Sequence, residues 1–159
     1  MNIELQEYNK DLITLDMLNG YQLGANEHIG KPQSIIERSQ MDSNLKPIMI
    51  LDCGRIVGCF GLHTNDGPIA YGGNPQTDIL LRAFSIDYRY RRRDYALVTL
   101  LKLSEFVYFH YDQVDRIILG VNYANTAAQA LYKKAGFVDS KRRFAGKLGE
   151  ILIYQKELK

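Results

Sequence analysis

Residues 79–96 read ILLRAFSIDYRYRRRDYA. An apolar run (Ile79, Leu80, Leu81, Ala83, Phe84, Ile86) passes directly into a basic segment carrying Arg89, Arg91, Arg92 and Arg93. A long apolar-periodic stretch begins at Tyr95. That order spells strand, tight basic loop, helix. A helix N-terminus presents backbone N–H groups with no intrahelical acceptor, together with the positive end of the macrodipole. Arginines beside it make a site suited to a phosphate group. A solvated charge run on a surface turn accounts for the same residues, so the neighbouring sequence has to decide.

Downstream, the periodicity predicts a helix from about Arg93 to Tyr111, with Leu97, Leu100, Leu101, Ser104, Val107 and Tyr108 on its apolar face. Arg116 to Val121 (RIILGV) is nearly continuously apolar, as in a strand covered on both faces. Asn125 suits the N-cap of a short helix, Thr126 to Ala135, with Ala127, Ala130, Leu131 and Ala135 inward and Gly136 just past its end. Phe137–Arg143 and Glu150–Leu158 read as two closing strands around a Gly146–Gly149 turn.

Upstream, residues 2–8 suit an edge strand. Asp11 can cap a helix bearing Leu12, Leu15, Met17 and Leu18 that stops at Gly20. Residues 21–31 read as loop, and Lys31-Pro32-Gln33-Ser34 opens a second helix with Ile35 and Ile36 on its apolar side. This region suits either a flap over a pocket or plain packing. Pro47–Leu51 and Ile56–Leu62 read as strands joined by the hairpin chemistry of Asp52-Cys53-Gly54-Arg55. Gly58 and Gly61 signal a bulge or a close approach. Thr64–Thr77 is a connector rich in Gly, Pro and Asn, long for a hairpin. No repeat, linker or low-complexity tract interrupts the pattern, so one α/β domain is expected over residues 1–159.

Composition narrows the function classes. The 159 residues are 46% hydrophobic and 24% charged, ordinary for a globular protein with a sizeable core. The net charge of +2 does not point to a nucleic-acid partner. The charge is concentrated, since Arg82, Arg89, Arg91, Arg92 and Arg93 face only Asp87 between positions 82 and 93. Two cysteines, Cys53 and Cys59, read as free thiols in a reducing cytoplasm, with no metal-ligand spacing. Met1 leads into an alternating segment without signal-peptide character. No apolar run approaches the ~18–20 residues of a membrane span.

Val121-Asn122-x-x-Asn125-x-x-Ala128-x-x-Leu131-Tyr132-x-Lys134-x-Gly136-Phe137 resembles the strand–helix–strand signature of the GNAT acetyltransferases. The strand, basic loop and helix over 79–101 resemble that family's acetyl-CoA motif, and the order of elements matches along essentially the whole chain. The Phe84-Ser85-Ile86-Asp87 strand end and the hairpin with Phe144-Ala145-Gly146-Lys147 are similar to the polyamine and diamine acetyltransferases. The resemblance implies a mixed sheet of about seven strands with about four helices, splayed between the strands before and after the long helix.

It also implies a site. The backbone of Phe84, Ser85 and Ile86 would pair with the pantetheine arm of acetyl-CoA. Arg91, Arg92, Arg93, Asp94, Tyr95 and Ala96 would cradle its pyrophosphate. Asn125 would contact the pantetheine region, and Asn122 sits where the strand end meets the cosubstrate. Tyr132 holds the position of the general acid that returns a proton to the departing thiolate; a hydroxyl aids that departure as charge develops. Taken alone, Tyr132 also reads as an aromatic packing helix on sheet.

The sequence departs from the family at the phosphate loop. Where the family has Gln/Arg-x-x-Gly-x-Gly/Ala, this chain has Arg91-Arg92-Arg93-Asp94-Tyr95-Ala96, with no glycine. Glycine is favoured there because backbone must approach phosphate closely. A carboxylate at Asp94 would repel the pyrophosphate unless it turned away, capped the helix or paired with Arg91 or Arg92. Candidates for a general base are His63, Glu27, His28, Asp78 and Glu150, each equally readable as an ordinary polar residue. Two functions remain open. One is acetyl transfer from acetyl-CoA to the primary amine of a small amine, a polyamine, a peptide or a protein. The other is a non-catalytic sensor or interaction module with a degenerate CoA site, whose arginines meet a polyanion. The final strand and the 64–77 segment are candidate surfaces for a homodimer.

Overall fold

In the computed structural model, which describes residues 1–25, 27 and 30–158, the hairpin at Asp52–Arg55 forms as its residues dictate. Cys53 and Gly54 both take positive φ (50° and 80°), matching the right-handed twist of the strands they join. Those strands are β2 (Leu45–Asp52) and β3 (Arg55–His63), preceded by β1 (Ile3–Glu7), α1 (Leu15–Asn19) and α2 (Pro32–Met41). They are followed by α3 (Asp66–Ala70), β4 (Asp78–Ile86), a 3-10 turn at Tyr88–Tyr90, α4 (Tyr95–His110) and β5 (Arg116–Asn122). The chain ends with α5 (Thr126–Lys134), β6 (Val138–Gly146) and β7 (Gly149–Glu157).

The strands form one mixed sheet in the order β1-β2-β3-β4-β5-β7-β6. Every neighbouring pair is antiparallel except β4 with β5. That parallel pair is short, with Asp78, Ile79 and Leu80 opposite Arg116, Ile117 and Ile118 and no pairing beyond. From there β4 follows β3, with Ser85 opposite Cys59 and Ile86 opposite Gly58, while β5 follows β7 along its whole length. A register shift between Cys59 and Gly61, with Ala83 at φ 54°, marks the β-bulge that turns β4 away. The sheet is therefore splayed between the strands before and after α4, as the family resemblance implied. At the closed end, Arg116 donates Nε and Nη2 to the buried Asp78 carboxylate at 2.9 and 2.8 Å.

Two apolar clusters cover the two faces. The larger packs Tyr95, Leu100, Leu103 and Val107 of α4 against Ile79, Leu81, Ile117 and Leu119 of the sheet. The smaller packs Ile13, Leu18, Tyr21, Ile35 and Ile36 against Met49, Leu51, Ile56 and Cys59. Several local expectations shift. The stripe of α4 that turns inward is Thr99, Leu100, Leu103 and Val107, while Leu101 and Tyr108 are exposed. The helix begins at Tyr95, whose buried ring sets a phase that carries Leu101 and Tyr108 outward. In α5, Ala128, Leu131 and Tyr132 meet the core, whereas Ala127 and Ala130 are exposed. Thr14 rather than Asp11 caps α1, accepting from Met17 N–H at 3.2 Å. A fifth helix, α3, shortens the 64–77 connector, while Asn125 caps α5 and Gly136 follows its end at positive φ, as read from sequence. No helix among the described residues is long and apolar enough to cross a membrane.

Gly58 is required by close approach. A Cβ there would lie 2.6 Å from the Ser85 carbonyl oxygen and 2.8 Å from Ile50 and Ile86 side-chain carbons. Since the nearest obstacle is backbone, β3 and β4 would have to separate beside the splay. Gly58→Ala is expected to cost about 1–3 kcal/mol of stability, read as a lowered urea midpoint at unchanged m-value.

Candidate active site

The splay opens a cavity of about 880 Å³. Ala83, Phe84, Ser85 and Ile86 line its β4 side, and Asn125, Ala128, Leu131 and Tyr132 line its α5 side. Ala96 and Arg91 close one end, and Glu27, Gly30 and Leu148 complete the wall. A second hollow of about 220 Å³ is lined by Ile86, Tyr90, Arg91, Arg92, Asp94, Tyr95, Ala96, Leu97 and Leu131, at the start of α4. Ile86, Arg91, Ala96 and Leu131 line both. An apolar slot thus runs from the gap in the sheet to a helix N-terminus.

At that N-terminus the first intrahelical bond is Val98 N–H to Asp94 C=O at 3.0 Å, which leaves Tyr95, Ala96 and Leu97 N–H without intrahelical acceptors. The glycine-free loop keeps its turn all the same. Arg92 and Asp94 both sit at φ 63°, a left-handed conformation that costs an ordinary residue about 1–2 kcal/mol. Asp94 occupies the N-cap position but its side chain makes no capping bond. It pairs with neither Arg91 nor Arg92. Arg91 instead donates from Nη1 and Nη2 to Glu27 at 2.8 and 2.7 Å, and from Nε to the Ile86 carbonyl at 2.9 Å. Arg92 reaches the smaller hollow, and Arg93 is exposed outside both. The Tyr95 ring packs into the core, its hydroxyl donating to Asp52.

Tyr132 lines the larger cavity with its ring edge-on to Phe137 at 5.9 Å. No group among the described residues hydrogen-bonds its hydroxyl. Burial pushes this phenol up to about 12, so it stays protonated and able to donate at neutral pH. Asn125 both lines the cavity and caps α5, accepting from Ala128 N–H at 3.1 Å. Asn122 lies outside the lining. Its amide donates to the Leu148 carbonyl at 3.1 Å and its oxygen accepts from Ala124 N–H at 2.9 Å, which fixes the β6–β7 hairpin over the slot.

The base candidates separate clearly. Asp78 is committed to Arg116, and Glu150 is an exposed partner of Arg143 at 3.6 Å. His28 lies outside the described residues. Among the described candidates only Glu27 lines the cavity, and the Arg91 guanidinium holds its carboxyl below the usual carboxylate range. Three features escaped sequence reading because they exist only across long separations. The Tyr21 and Ser85 hydroxyls bond to each other, and Ser85 Oγ donates to the Gly30 carbonyl at 2.8 Å. Gln22 N–H donates to Asp87 at 3.0 Å, and Tyr88 N–H to the Gln22 carbonyl at 2.8 Å. Arg89 Nη2 reaches the Gly20 carbonyl at 2.8 Å. Together these bonds clasp the segment after α1 onto the end of β4 and the basic loop.

His63 stands apart from the cavity. It is buried, with Nε2 2.9 Å from Asp42 and 3.1 Å from Asp66, a trio of ligand atoms close enough for a cation. Arg82 Nη1 lies 3.0 Å from Nδ1. A guanidinium only donates, so Nδ1 accepts and the ring proton sits on Nε2, directed at the carboxylates. A metal-bound histidine needs the reverse arrangement. The trio is a hydrogen-bond network, with a neutral imidazole between Arg82 and the two carboxylates. His63→Ala is expected to cost about 1–3 kcal/mol in urea unfolding by stranding Arg82 and the carboxylates, and added Zn²⁺ should leave the wild-type melting temperature unchanged.

Comparison with known proteins bears on this slot. Residues 14–137 match the model of the acetyltransferase (GNAT) family. YbbJ of Bacillus subtilis (strain 168), named as an uncharacterised N-acetyltransferase, is 34% identical over 122 residues, covering 77% of this chain and 76% of the relative. Among solved structures, the spermidine N-acetyltransferase of Vibrio cholerae, in complex with CoA and spermine, superposes with a TM-score of 0.65 at 15% identity, covering 98% of this chain and 95% of that one. The aminoglycoside acetyltransferase AAC(6')-Ib, in complex with coenzyme A and kanamycin, gives 0.69 at 13% identity, covering 98% and 95%. The two structures share the fold, and the family match spans most of the chain. This protein belongs to the GNAT family of acetyltransferases.

Proposed function

We propose that the protein transfers the acetyl group of acetyl-CoA directly to the primary amine of a small cationic acceptor, with Tyr132 as general acid. The observation that carries this reading is the Tyr132 hydroxyl, unpartnered among the described residues and kept protonated by burial, in a slot that ends at a helix N-terminus. Pantetheine would lie along Phe84, Ser85 and Ile86, on the β4 side that β5 leaves unpaired. The pyrophosphate would meet Tyr95, Ala96 and Leu97 N–H groups with Arg91 and Arg92 beside them. Arg93, exposed outside the hollows, would supply only longer-range attraction. Asn125 would hold the start of α5 against the pantetheine, with Asn122 supporting the hairpin behind it.

In the reaction, the neutral amine attacks the thioester carbonyl and forms a tetrahedral oxyanion. The attacking nitrogen gives up a proton to water, the carbon–sulfur bond breaks, the thiolate takes the Tyr132 proton, and the tyrosinate regains one from water. A polyamine or an aminoglycoside is favoured over a protein amine, because the proteins of similar fold include enzymes named for those acceptors. Two free cysteines suit a reducing cytoplasm as the setting.

Tyr132→Phe is expected to lower kcat by about a hundredfold or more while changing CoA affinity by less than about twofold. Because the phenol ionises near 12, wild-type kcat should show no alkaline decline from this group below about pH 10. Unimpaired turnover in the phenylalanine variant removes Tyr132 from the mechanism. Asp94→Gly removes a carboxylate and a left-handed side chain from the phosphate loop, so calorimetry should show CoA binding several-fold tighter. If the affinity falls instead, the aspartate supports the turn. No CoA binding up to millimolar concentration in the wild type would favour the degenerate-site reading.

A further inference from the structure

Arg91 belongs to the segment that the proposed function assigns to the pyrophosphate, yet its guanidinium is already engaged by a carboxylate. Both terminal nitrogens face both Glu27 oxygens in a fork-to-fork pair at 2.7 and 2.8 Å. Glu27 Oε1 also accepts from Gly24 N–H at 2.8 Å, which aims the carboxylate from the loop side. A pyrophosphate arriving at the start of α4 offers the same fork geometry with more negative charge. It also gains three helix N–H groups that Glu27 does not use. Glu27 and the cosubstrate therefore compete for one cation.

A second observation concerns where Glu27 goes when it loses. It is the only acidic residue lining the 880 Å³ cavity among the described residues. The chain before and after it is held independently, because the Tyr21–Ser85, Gln22–Asp87, Tyr88–Gln22, Arg89–Gly20 and Ser85–Gly30 bonds do not involve Glu27 or Arg91. A displaced Glu27 is a free carboxylate beside the slot that holds Tyr132, where the proposed acceptor carries a positive charge.

We propose that Glu27 is exchanged between Arg91 and the acceptor: acetyl-CoA's pyrophosphate displaces it from the guanidinium, and the freed carboxylate anchors an ammonium group of the acceptor amine. The proposal rests on the acetyl-transfer reading and adds an order to it. Cosubstrate binding creates the acceptor's anionic contact, so each ligand tightens the other by the same factor. Glu27 is thereby a specificity-determining residue for polycationic acceptors, which carry a second ammonium besides the reacting amine.

The test uses Glu27→Gln, which retains the Gly24 bond through its amide oxygen and removes the charge. Calorimetric titration with CoA alone should show binding up to about fivefold tighter than in the wild type, the range of a partly exposed ion pair released. Spermidine and kanamycin are then assayed as acceptors by thiol release at saturating acetyl-CoA. On any amine that the wild type acetylates, the variant should raise the acceptor KM at least tenfold and change kcat less than threefold. CoA affinity that is unchanged or falls in the variant overturns the exchange. An unchanged acceptor KM overturns the anchor. If the wild type binds CoA but acetylates neither amine, the acceptor assignment and the anchor fall together, while the CoA titration still decides the exchange at Arg91.

Discussion

The architecture depends on a backbone pairing that stops early. β4 and β5 hydrogen-bond over three residues and then part, because each has a better-matched antiparallel neighbour to follow. β3 leads β4 one way through the bulge at Ala83, and β7 leads β5 the other way. The Asp78–Arg116 pair holds the strands together where the divergence starts. Unpaired strand edges in a protein interior are costly unless something satisfies them. Here that cost is concentrated in one gap, and the gap is the cavity. A ligand with alternating amide groups can supply the missing partner, so the same geometry that weakens the sheet creates a selective site.

The loop between β4 and α4 shows how a turn survives the loss of its usual residues. Glycine is common in such loops because positive φ is free for it. This chain places Arg92 and Asp94 in the same conformation and holds them with contacts outside the loop. Arg91 grips the Ile86 carbonyl and Glu27, Asp87 accepts from Arg89 and Gln22, and Tyr95 is tied to Asp52. The basic segment is therefore less basic in space than in sequence, since Arg89 and Arg91 each have a carboxylate partner.

Much of this is legible in the sequence. The strand–loop–helix at 79–96 and the capped helix after Asn125 carry local chemistry, with periodicity, a capping side chain and a terminal glycine all within a few residues. The family resemblance grouped Phe84–Ile86, Ala96, Asn125 and Tyr132 at one cosubstrate site, and all of them line one cavity. The signals that failed were long-range or depended on phase. Leu101 and Tyr108 look inward on a helical wheel, but the true stripe follows from where Tyr95 docks. His63 and Asp78 look like catalytic residues until Arg82 and Arg116, distant in sequence or separated by a helix, take them up. Nothing near Tyr21 announces that its hydroxyl meets Ser85.

The lining of the cavity comes from both sides of the sheet. Ala96, Ala128, Leu131 and Tyr132 pack with the α4 face, while Ser85 bonds to Tyr21 on the opposite face and Gly30 lies beside it. A gap lined from both faces can in principle be approached from either. Reactants arriving from opposite sides need not share a doorway, and neither has to leave before the other is seated. In the proposed reaction the two would meet inside the break in the sheet, beside Tyr132. The sheet itself would then keep the two reactants on separate approaches.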